Sequence, residues 1–194
     1  MFRRSIAVVA MAGTALLAAS DARAQTIAEL LIERFDSLCV DTLADRAAVR
    51  DAADAMGWMP TAAGFLPPDE TIKNMELWML NSREGAFLGF FGDVEFAHDG
   101  KVAPMSVCAV AVERRPAGLA EALDRYTGGV RLAGFSDTAN DAGYGFLIVD
   151  GKAQPAPAMS DEATMDAILN GEQHIVMTQD ESGKGIVMYM APRR

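Results

Sequence analysis

The apolar positions of this chain repeat with one period near its start and with another further on. From Gln25 to Val40 the spacing predicts a helix. Ile27, Leu31, Phe35, Leu38 and then Thr42 follow one side at about 100° per residue, with Cys39 at the margin of that stripe. Glu29, Glu33, Arg34 and Asp36 take mostly the opposite side. A break between Asp41 and Asp45 offers Thr42 or Asp45 as the N-cap of a second helix, whose apolar face is Val49, Ala52, Ala53 and Met56. Gly57 is placed to end that helix, and Trp58 follows where a large ring covers the edge of a core. Met59 to Asp69 contains Pro60, Gly64, Pro67 and Pro68 and reads as a loop.

From Ile72 the period falls to two. Met75, Leu77 and Met79 share one face of a strand, and Glu76, Trp78 and Leu80 share the other. Asn81 to Gly85 turns the chain into a second apolar strand, Ala86 to Phe91, where Gly89 and Gly92 mark a bulge or a close backbone approach. The strand extends through Val94 to Ala97, and His98-Asp99-Gly100-Lys101 reads as a hairpin turn with Asp-Gly at its tip. Next comes Val107 to Val112, an unbroken run of Val, Cys and Ala that suits a strand covered on both faces. Pro116 suits the first turn of a helix over 117–126, in which Leu119, Ala122, Leu123 and Tyr126 recur at helical spacing. Gly128-Gly129 ends it.

Val130 to Phe135 reads as a short strand, Ser136 to Gly143 as a polar turn, and Tyr144 to Val149 as a buried strand stopped by Asp150-Gly151. Gln154 to Ala158 reads as an extended surface connection. Ser160 or Asp161 caps a short helix that turns Met165, Ile168 and Leu169 inward and ends at Gly171. His174 to Thr178 and Ile186 to Met190 form a last hairpin around Gln179 to Gly185. The class is therefore α+β: N-terminal helices packed on a mostly antiparallel sheet of about five to seven strands, interrupted by one or two further helices.

The first 24 residues stand apart from this pattern. Arg3 and Arg4 form a basic n-region, Ile6 to Ala19 an apolar stretch short for a membrane span, and Ala22-Arg23-Ala24 a small-x-small cleavage site. They read as a signal peptide removed after Ala24, which leaves a single α+β domain over residues 25–194, in the periplasm or secreted and with no stable membrane insertion. Cleavage sheds three arginines against Asp21, so the formal net charge moves from −10 to about −12. Such a chain is repelled by nucleic acid and by anionic membrane surfaces and attracts cationic partners.

Export also bears on the cysteines. Cys39 and Cys108 are the only two, so one intramolecular pairing exists, and a bridge between them would pin the first helix to the most buried strand.

Catalytic signatures are sparse. His98-Asp99 has the form of a base with its orienting carboxylate, and Ser106 or Ser136 is a nominal nucleophile, yet no G-x-S-x-G elbow surrounds either serine. His98 reads as a turn residue and His174 as a half-buried strand residue. Two isolated histidines without H-E-x-x-H or C-x-x-C spacing give no zinc signature. Gly143-Tyr144-Gly145 precedes its strand and lacks a third glycine, so no dinucleotide cofactor is expected either. Asp69-Glu70, Asp161-Glu162 and Asp180-Glu181 sit in loops or at helix starts. The methionine pairs Met56/Met59, Met75/Met79 and Met188/Met190 have spacings that thioethers use for Cu(I), but methionine is also a common core filler, and core packing is expected here.

Trp58, Trp78, Phe87, Phe90, Phe91 and Tyr144 line either an apolar pocket or the core itself. These features favour a non-enzymatic exported domain that binds a cationic protein or a small apolar ligand. The competing reading is a periplasmic hydrolase using His98 or His174 with nearby carboxylates.

Overall fold

Thr26 starts the first helix with a capping box: its hydroxyl accepts from the Glu29 N–H, and the Glu29 carboxylate accepts from the Thr26 N–H. The computed structural model describes residues 25–62, 71–98, 101–128, 131–132, 142–181 and 183–193. Helix α1, Ile27–Phe35, buries Leu31, Ile32 and Phe35 and runs on into a π-helical turn, Asp36–Val40. Asp45 caps α2, Arg46–Ala55, by accepting from the Ala47 and Ala48 N–H groups. The other cap candidate, Thr42, donates its hydroxyl back to the Leu38 carbonyl at 2.8 Å.

Eight strands follow among the described residues, all in one antiparallel sheet. They are β1 Met59–Pro60, β2 Lys73–Ser82, β3 Gly85–His98, β4 Lys101–Val112, β5 Ala142–Val149, β6 Lys152–Pro155, β7 Gln173–Glu181 and β8 Lys184–Pro192. The spatial order is β1-β2-β3-β4-β8-β7-β5-β6, so the last strand lies beside the central one. Helices α3, Leu119–Thr127, and α4, Asp161–Leu169, interrupt the strands. The α+β class holds. Eight strands is one more than the upper expectation, and the two not foreseen, β1 and β6, are short edge pieces, each ending in proline, which an edge tolerates because proline's missing N–H is not needed there. The stretch from Gln154 is thus partly a strand, since β6 pairs with β5 through Pro155.

Two other expectations shift. Helix α3 begins at Leu119 behind Gly118, whose φ is 75°, and so Pro116 lies outside its first turn. Pro116 instead packs on Gly185 of β8, where an added Cβ would meet its Cδ at 2.9 Å. The proposed strand 130–135 is described only at Arg131 and Leu132, where Arg131 bridges to Tyr144. Between β3 and β4 His98 pairs with Lys101, and the Asp-Gly tip expected at Asp99-Gly100 lies outside the described residues.

The alternation of β4 explains its unbroken apolar run. Cys108, Val110 and Val112 enter the cluster under α1, α2 and α3, whereas Met105, Val107, Ala109 and Ala111 enter a second cluster with Ile168 of α4. Met79, Met177, Met188 and Met190 pack with that second cluster. At one end of the sheet, buried Asp93 is held by Arg46, Asn74 and Arg193. Arg46 also reaches Glu76 and lies over the Phe91 ring at 4.5 Å.

Candidate functional site

The π turn and the turn that closes it each carry a hydrogen bond of the i to i+5 kind. The Asp41 N–H donates to Asp36 O at 2.9 Å, and the Ala44 N–H donates to Cys39 O at 3.0 Å. A wider turn advances fewer degrees per residue, and this carries Cys39 from the margin of the helical stripe round to the sheet. There it is bonded to Cys108 of β4, with Cα atoms 5.4 Å apart and a sequence separation of 69. The connection that follows is strained. Leu43 and Ala44 sit consecutively in the left-handed region, at φ 53° and 51°, without being glycine. Such conformations cost about 1–3 kcal/mol each and gather where structure serves a function.

This segment forms one wall of a cleft of about 580 Å³, walled elsewhere by the end of α3 and the β5–β6 hairpin. Helix α3 buries Leu119, Ala122 and Leu123, which leaves Tyr126 in its last turn facing the cleft. The Tyr126 ring stands edge-on to Phe35 at 6.4 Å and stacks with Phe146 of β5 at 6.3 Å. Its hydroxyl donates a short hydrogen bond to the Asp36 carboxylate. Burial raises the Asp36 pKa; the Tyr126 hydrogen bond pulls it down, and nearby Asp41 pushes it up again. The Tyr126 phenol is pushed well above its ordinary range, first by burial and then by the bond to Asp36. Asp41 and Lys152 are exposed on the rim.

A second cleft of about 530 Å³ lies at the end of α4, with His174, Glu172 and Arg193 among its walls. His174 is buried on β7. Its Nδ1 lies 2.6 Å from the hydroxyl of fully buried Tyr189, whose pKa is raised by burial. On the far side of α3, Tyr144 donates to Asp124 at 2.6 Å, and Arg131 grips the same carboxylate. Asp124 is held below the usual range, by Arg131 first.

Of the residues nominated from sequence, Cys39 and Cys108 are brought together. His98 ends β3, remote in register from β7, and Ser106 lies mid-β4, opposite Asp93 and Ala191. No hydrogen bond among the described residues joins Ser106 to His174. Ser136 and Asp69-Glu70 lie outside the described residues, Asp161-Glu162 opens α4, and Asp180-Glu181 ends β7. The six aromatic residues proposed as pocket or core are all buried in the core, five under the helices and Phe90 on the other face. The rings that do line the larger cleft are Tyr126 and Phe146. Sequence placed Tyr126 on the apolar face of its helix and Phe146 in a buried strand, with no local signal that they meet. The 100° period likewise puts Asp36 on the polar side of the first helix. No protein-family model, curated protein or solved structure matches this chain.

Proposed function

We propose that this chain is an exported, non-enzymatic binding domain that receives its ligand in the cleft between the π turn, α3 and the β5–β6 hairpin. The observation that carries the reading is the aromatic floor of Tyr126 and Phe146 in a concavity of about 580 Å³, inside the ordinary range for ligand pockets. Rigidity supports it, because the disulfide fixes the π-turn wall to the central strand. Export is supported by the same disulfide, which persists in oxidising compartments, and no described helix is long and apolar enough to cross a membrane.

The test is NMR shift mapping with neutral apolar probes, benzyl alcohol and cyclohexanol. Shifts gathered at Val40, Tyr126, Phe146 and Ala153, and lost in Ala153→Trp, are expected. Shifts confined to the methionine-bearing face of the sheet would overturn the assignment.

A second reading, a hydrolase using His174, is favoured by one observation: the smaller cleft includes both His174 and Glu172 in its walls. Turnover of p-nitrophenyl acetate that disappears in His174→Ala but survives in His98→Ala would establish it. Equal turnover by all three proteins would dismiss it.

A further inference from the structure

We infer that this cleft selects a cation on an apolar stem, an alkylammonium or guanidinium group; the inference rests on the cleft being the binding site. The first argument is the polar inventory of its walls. Asp36 and Asp41 offer carboxylate oxygens, and the one Tyr126 proton is already given to Asp36, so the phenol presents a lone pair. Among the described residues Lys152 is the single cation lining the cleft, exposed on the opposite rim, and no ion pair among them ties it to either aspartate. The walls therefore accept hydrogen bonds and carry net negative charge.

The second argument is the direction of the helices. Asp36 to Asp41 close the α1–π segment, and Tyr126 lies in the last turn of α3, so two helix C-termini meet at the cleft. A helix C-terminus carries partial negative charge and favours cations. Asp41 caps that end and sets like charge against like, and half-buried Asp36 one turn before it adds a second carboxylate whose burial sharpens the conflict. Within the fold the Tyr126 hydrogen bond offsets the conflict only in part, and a local rule broken in this way is where function is to be sought. A bound cation relieves the conflict, and the faces of Tyr126 and Phe146 add cation–π attraction along the stem. The stem need be no longer than a lysine side chain. A basic protein and a free amine present the same chemistry to this cleft.

The test uses residues 25–194 with the disulfide formed, titrated by NMR and calorimetry with n-butylammonium, Nα-acetyl-lysine methylamide, n-butanol and butyrate. Both cations are expected to bind at the cleft about ten-fold tighter than n-butanol, with butyrate weakest. Tighter binding of the lysine derivative than of n-butylammonium assigns the site to a protein side chain, and the reverse order assigns it to a free amine. The exposed rim supplies two variants that leave the core intact. Asp41→Asn is expected to weaken cation binding about two- to five-fold, and Lys152→Gln to strengthen it by a similar factor. Asp36→Asn should weaken it further. Equal binding of n-butanol and n-butylammonium, unmoved by Asp41→Asn and Lys152→Gln, overturns the inference but leaves the cleft as the binding site. Binding of none of the four probes overturns both.

Discussion

At the scale of single residues, the molecule is shaped by glycines at which a neighbour occupies the space a side chain would need. A Cβ at Gly89 would meet Leu38 Cδ2 at 2.9 Å and the Trp58 ring at 3.1 Å, so the helices sit directly on the β3 backbone. At Gly145 it would lie 1.8 Å from the Nε2 of Gln173, a side chain with no exposed surface. Gly89→Ala and Gly145→Ala are each expected to cost about 1–3 kcal/mol by overpacking, read from urea unfolding. A cost under 0.5 kcal/mol at both, the range of ordinary surface changes, would contradict these contacts. Sequence marked Gly89 and Gly92 as a bulge or a close approach without deciding between them. The structure contains both. Both glycines are close approaches, since a Cβ at Gly92 would meet Ile72 Cγ2 at 2.3 Å, and opposite Gly92 the register of the neighbouring β2 also shifts between Lys73 and Glu76.

Asp36 makes a prediction about pH. Its folded-state pKa lies above its ordinary value of about 3.9, so it favours folding below that pH and disfavours it as the pH rises through the folded value. Asp36→Asn keeps an acceptor for Tyr126 and removes the titration. The variant is expected to match the parent near pH 3 and to be more stable at pH 7, by denaturant midpoint. A variant less stable at pH 7 than at pH 3, relative to the parent, would reverse the sign and refute the account.

At the scale of elements, caps and stops were legible because they are local. Asp45, Ser160, Gly57 and Gly171 act where the residue types place them, whereas the Thr26 capping box emerges only from the structure. The π turn was not legible. A 3.6-residue periodicity read across 25–40 leaves Cys39 at the margin, and only the sheet beneath, reached through Cys108, explains why the helix widens there. The bridge closes a loop of about 70 residues, so removing it should cost about 4 kcal/mol in the chain-entropy model. The double variant Cys39→Ala, Cys108→Ala is expected to lose that much in guanidinium unfolding. Its losses of amide-exchange protection should be greatest at Asp41 and Ala44, whose N–H groups close the wide turn. Uniform loss of protection across the sheet would mean that the bridge supports the whole fold and not the cleft wall.

At the scale of the whole molecule, the pairing of β4 with β8 was beyond sequence reading, because it joins segments about 80 residues apart through no turn chemistry. That pairing brings Cys108 beside Tyr189 and sets both under the N-terminal helices. The cleft is a product of this topology: its walls come from residues 36–41, from Tyr126 and from 146–155, and no motif links them. Compartment is the whole-molecule property that sequence addresses most directly, and the bridge makes the proposed export testable in two ways at once. Expressed with residues 1–24, the protein should be recovered from the periplasm with an intact mass beginning at Gln25, with or without cyclisation, and with no thiol reactive under denaturing conditions. The same chain expressed from residue 25 in a reducing cytosol should show two reactive thiols and a stability lower by about the 4 kcal/mol assigned to the bridge. Recovery of uncleaved Met1 protein from the cytosol with its disulfide intact would sink the export proposal while leaving the fold untouched.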